Sequence, residues 1–133
     1  MAAKPPLLPP SLDDLAAMGE AALARLRPAF GQFLGNVPIR VQDFADEETL
    51  QSMEIENPFE LMGLYHGSTL AAEAAGHGGL PAMIFLYRRP LLDYWCETAE
   101  PLDRVVRHVL IHEIGHHFGL SDDDMESIEA ATD

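Results

Sequence analysis

HEIGHHFGLSD, His112 to Asp122, is the stretch on which the architecture of this chain turns. It closes an apolar helical run from Pro101 to Phe118, in which Val105, Val106, Val109 and Leu110 supply the face that is buried. Proline suits the first position of a helix, Asp103 adds a negative charge near the positive end, and Gly119 provides the stop. Residues four apart on an α-helix are offset by about 40° and 6 Å, so His112 and His116 leave the same face and can converge on one ion. H-E-x-x-H spacing is that of two ligands to a tetrahedral zinc. A catalytic zinc takes a third protein ligand and leaves its fourth position to water.

A helix that ran straight on would carry later residues away from the ion, but Gly119 tolerates the left-handed conformation that turns the chain back. Asp122, three residues on, is the candidate third ligand, with Asp123, Asp124, Glu126 and Glu129 as rival carboxylates. Glu113 stands on the flank of the metal-binding face, where a general base takes the proton from the metal-activated water. His108, one turn before His112, can touch the site, whereas His117 points about 100° away from His116. Met125 reads as a core methionine, with a soft side chain packed under the metal as a second reading. The expectation is one Zn2+ per chain held by His112, His116 and Asp122.

Working outward, Ser11 followed by Asp13 and Asp14 starts a helix over Leu12 to Arg27, with Pro28 as its end. Val37 to Phe44 alternates as a half-buried strand near an edge, because Pro38 cannot donate to a ladder. Asp46 to Met53 reads as a short helix, Asn57 and Pro58 as a break, and Leu61 to His66 as a second strand. Gly67 to Gly79 holds four glycines and reads as a loop or hairpin, flanked by His66 and His77 as exposed residues. Ala82 to Tyr87 is expected to be a strand at the sheet edge beside the metal, followed by a helical turn over Leu91 to Cys96. A short acidic helix follows from Ser121 or Asp122 to Ala130. Residues 1–10 form a proline-rich tail ahead of one domain spanning 11–133.

Twenty-two acidic residues against eight basic ones give a formal charge of −14, so a phosphate backbone is repelled and nucleic acid is excluded as a partner. A single cysteine, Cys96, precludes an intrachain disulfide and fits a reducing cytoplasm. No signal-peptide core precedes Ser11, and no stretch approaches the roughly 18 apolar residues that cross a bilayer. The chain is read as cytoplasmic, without a membrane partner; oligomeric state, substrate and biological role are not encoded in any motif.

HEIGHHFGLSD with DDM after it resembles the zincin-like metallopeptidases, and the whole chain looks like their small bacterial branch, the minimal zincins. GLYHGSTL at Gly63–Leu70 and LPAMIFLYRRPL at Leu80–Leu91 are similar to the two family segments upstream of the active helix, so the resemblance runs from about Val37 onward. It implies an α+β minimal zincin-like fold, a small mixed β-sheet packed against helices. It also implies His112, His116 and Asp122 as zinc ligands, Glu113 as base, and peptide or protein substrates. Larger metzincins carry histidine where Asp122 stands and a methionine turn far downstream, whereas 17 residues follow His116 here. Without a second lobe, peptide binding should be weak or narrow. The function expected is zinc-dependent hydrolysis of peptide bonds. The alternative is a zinc-binding regulatory or interaction protein with little or no proteolytic activity, against which the base Glu113 argues.

Overall fold

A computed structural model describes residues 8–31, 34–67 and 81–132. Helix α1, Leu12–Phe30, opens with a reciprocal cap: the Ser11 hydroxyl accepts the Asp14 N–H at 3.0 Å and the Asp14 carboxylate accepts the Ser11 N–H at 2.8 Å. Leu15, Ala22, Leu23, Leu26 and Phe30 form its buried stripe. Pro28 does not end this helix as expected. It lies inside the last turn, where it removes only its own N–H from the ladder; the buried Phe30 follows it, and the Gly31 N–H bonds the Arg27 carbonyl to close the helix.

Strand β1 is Ile39–Gln42, helix α2 Glu47–Ser52 with Asp46 as its cap, and a single 3-10 turn covers Pro58–Glu60. Strand β2 is Gly63–His66 and strand β3 Met83–Tyr87, which runs directly into helix α3, Arg88–Thr98. The turn expected over Leu91 to Cys96 is therefore a full helix of 11 residues. Helix α4, Leu102–His117, carries H-E-x-x-H, and helix α5, Asp122–Thr132, ends the chain. Most of the segment expected as a loop, including His77, lies outside the described residues.

The sheet order is β1-β3-β2, with β1 parallel and β2 antiparallel to β3. This overturns the expectation that Ala82 to Tyr87 is an edge strand. The Ile84 N–H bonds Pro38 O at 2.9 Å on one side, and the Tyr87 N–H bonds Met62 O at 3.0 Å on the other. The physical reason is burial on both faces. Ile84 and Leu86 enter the main core beneath α1 and α4, while Tyr87 and Phe85 join Ala45, Leu61 and Leu64 in a smaller cluster on the opposite face. A strand apolar on both faces belongs in the middle of a sheet.

One mixed three-stranded sheet with helices packed against it is the α+β zincin-like architecture that the sequence implies. Helix α4 is the main wall of its core, burying Leu102, Val105, Val106, Val109, Leu110, Ile111 and Ile114. Its approach to β2 depends on Gly63, where an added Cβ would stand 2.7 Å from Val109 Cγ1 and 3.2 Å from the Phe85 carbonyl oxygen. Val109 is β-branched and the carbonyl belongs to the ladder, so neither can move aside cheaply. Gly63→Ala should lower the unfolding free energy by about 1–3 kcal/mol, read as a lower urea midpoint at unchanged slope. Gly35→Ala, whose new Cβ meets nothing within 4 Å, is the matched control and should shift the midpoint little.

Candidate metal centre

Helix α4 presents His108, His112 and His116 at four-residue intervals, one stripe of imidazoles bordered by its buried residues. The His112 and His116 rings lie 5.6 Å apart at 73°, and those of His108 and His112 lie 4.2 Å apart at 39°. His112 is half-buried and His116 exposed, so the stripe opens outward toward solvent.

The helix stops in a Schellman motif built around Gly119. Gly119 has φ 74°, its N–H bonds the His116 carbonyl at 3.2 Å, and the Leu120 N–H reaches back to the Gly115 carbonyl at 2.8 Å. Gly115 is needed as well. A Cβ there would meet Met125 Cγ at 2.7 Å and its sulfur closer still, so the second x of H-E-x-x-H must be small for α5 to dock. Met125 is fully buried, the core methionine that the sequence predicts.

The turn starts α5 at Asp122, whose negative charge acts on His112. Its neighbour Asp124 is engaged in capping: the Ser121 hydroxyl accepts the Asp124 N–H at 3.1 Å, and the Asp124 carboxylate faces the Ser121 N–H at 3.3 Å. Asp122 and Asp123 are exposed first-turn residues. The donor atoms that lie within 4.8 Å of one another are those of His108, His112 and Glu129. Glu129 reaches this group from two turns along α5, with Oε1 2.7 Å from His108 Nδ1. The four-residue spacing marks His108 in the sequence. Nothing local marks Glu129, because the docking of α5 on α4 delivers it. His117 turns away as expected and packs its ring 4.1 Å from Tyr65, with Nε2 buried and without a hydrogen-bond partner among the described residues. His66 is exposed at the end of β2.

Glu113 sits on the flank of the stripe, and burial pushes its carboxyl up to about 7. The His112 imidazole is moved the other way, first by burial and then by the charge of His108, with Glu129 and Asp122 opposing. Tyr87 is pushed up to about 12 by burial, reinforced by the negative charges of Asp46 and Glu113. Imidazole and carboxylate donors suit a borderline ion such as zinc, and among the described residues the group whose donor atoms converge takes in His112 but not His116 or Asp122.

Sheet, helix and H-E-x-x-H stripe together define a zincin-type metallopeptidase scaffold. The family model for zincin-like metallopeptidases matches residues 34–132, and the chain belongs to that family. The family implies a zinc cofactor, hydrolase chemistry, and peptide or protein substrates. None of the curated proteins matches the chain. Among the described residues no helix is long and apolar enough to cross a membrane.

The buried Glu113 carboxyl has a pH consequence in the metal-free protein. Its folded pKa stands above the ordinary value of 4.5, so the folded chain holds this proton more tightly and loses stability as pH rises from about 4.5 through about 7. Metal-free Glu113→Gln should therefore be more stable than the parent at pH 8, by an amount on the order of 2 kcal/mol after allowing for partial exposure. The difference should vanish below pH 4.5, as followed by urea unfolding across the range.

Proposed function

We propose that this protein is a zinc-dependent peptide-bond hydrolase in which His112, His116 and Asp122 hold the ion and Glu113 is the general base. The observation that supports the reading is the Schellman turn at Gly119, which ends the H-E-x-x-H helix and starts α5 at Asp122. A zinc ion held there would supply Lewis-acid polarisation of the scissile carbonyl and a more acidic attacking water.

The residues of the chain do the rest. Glu113 accepts a proton from the water as its oxygen adds to the carbonyl carbon, and returns that proton to the leaving amine as the C–N bond breaks. Water is thus divided between the two products, and Glu113 ends the cycle as it began. Partial burial of its carboxyl suits this exchange, since a base near neutrality both takes and gives the proton.

Extended substrate requires a free sheet edge, and β3 is paired on both sides. Strand β2 is the better candidate: its outer edge has no strand partner among the described residues, and it packs against α4 through Gly63 and through the contact of Tyr65 with His117.

Glu113→Gln should keep one zinc per chain by elemental analysis while losing about 10²- to 10⁴-fold or more in kcat/KM on a peptide library. Equal activity in the two proteins would remove Glu113 from the mechanism. Among the three aspartates, Asp122→Ala should weaken zinc binding about tenfold to a hundredfold. Asp123→Ala should leave affinity unchanged. Asp124→Ala should leave affinity unchanged too while costing about 0.3–1 kcal/mol of stability through the lost negative charge and reciprocal contact at the start of α5. Chelator competition measures the affinities, and full-strength binding by Asp122→Ala would refute the assignment.

A further inference from the structure

We infer that the chain carries a second, overlapping divalent-metal site formed by His108, His112 and Glu129, which competes with the proposed catalytic ligands for His112. The competition rests on the ligand role proposed above for His112; the site itself rests on its own geometry. Its three donor atoms already lie within 4.8 Å of one another, a spread that small side-chain rotations close to the separation of ligands around one ion.

His108 and His112 are one helical turn apart on the same face of α4, the same backbone relation that makes His112 and His116 a pair. Their rings are closer, at 4.2 Å against 5.6 Å. Glu129 comes from a different helix and already touches His108 Nδ1 at 2.7 Å, so two elements converge on the position. As an ion pair alone this contact is worth little, because both side chains are partly exposed, 48% and 29%. A divalent ion replaces the single hydrogen bond with three ligand bonds.

The surroundings supply access. A cavity of about 210 Å³ lined by Tyr94, Glu100, Arg104, Val105, His108 and Glu129 opens beside the group, giving an ion a path in and room for water at its remaining position. The carboxylates of Glu100 and Glu129 on this wall offset the guanidinium of Arg104. Two imidazoles and a carboxylate are the same donor classes as in the proposed catalytic set, so both sites take Zn2+ or Co2+. An ion bound to His108 and Glu129 withdraws His112 from His116 and Asp122. Zinc content therefore does not measure active enzyme, and the balance between the two sites is a brake set by His108 and Glu129.

Cobalt(II) titration of the full, metal-free chain, followed by visible absorption, tests this without reference to activity. His116→Ala should still bind one cobalt per chain, about tenfold to a hundredfold more weakly than the parent. Adding His108→Ala or, separately, Glu129→Gln should weaken that residual binding at least another tenfold, while His108→Ala alone should keep one ion per chain. Circular dichroism verifies that each variant is folded. The proposal is overturned if folded His116→Ala binds no cobalt, or binds it equally well with His108 and Glu129 removed. If instead His108→Ala alone abolishes binding while His116→Ala does not, the site stands and the catalytic ligand set proposed above fails.

Discussion

One helix has to be both the main wall of the core and the carrier of the chemistry, and the 3.6-residue period of α4 is what permits it. Val105, Val106, Val109, Leu110 and Ile114 face inward against α1 and the sheet, while His108, His112 and His116 recur every fourth residue on the outward side. Rotating this helix by a fraction of a turn would expose valines and bury imidazoles together. The imidazole stripe is thus held in place by the hydrophobic effect acting on the buried residues of the same helix. Burying that face is worth roughly 1.5–3 kcal/mol per large side chain, well above the small net value of an exposed ion pair.

That arrangement works only if neighbouring elements can approach α4 closely, and three small residues permit it. Gly63 brings β2 against Val109, Gly115 admits Met125 beneath the motif, and Gly119 reverses the chain so that α5 returns along α4. Each is tied to function through position. Gly63 sets the distance between the exposed sheet edge and the stripe, Gly115 seats α5, and Gly119 decides where Asp122 emerges. Glu129 depends on the same docking, since a carboxylate 17 residues after His112 meets His108 only because α5 folds back.

What could be read from the chain beforehand follows the range of the interactions involved. Helix α4, its stop at Gly119 and the start of α5 were legible because helix period and capping act over a few residues, whereas the small mixed sheet came from the resemblance to the zincin-like family. The position of β3 was not. Strand order is decided by long-range pairing, although MIFLY, apolar at every position, carried the signal of a strand covered on both faces. Pro28 misled because it removes only its own N–H from the ladder, and the chain stays helical past it to the buried Phe30. Of the residues around the metal stripe, those on α4 were readable from spacing alone. Glu129 appeared only as one of several carboxylates, since no local rule says which face of α5 meets α4.

The central claim is that a metal held on the α4 stripe hydrolyses peptide bonds, and a peptide-library digest analysed by mass spectrometry tests it most directly. The protein is compared as purified, after stripping with a chelator, and after return of one equivalent of zinc. The account predicts cleavage by the purified protein, its loss on stripping, and its recovery with the added zinc. Cleavage that persists in the stripped protein, or no cleavage of any peptide by zinc-loaded parent and zinc-loaded His108→Ala alike, would contradict it.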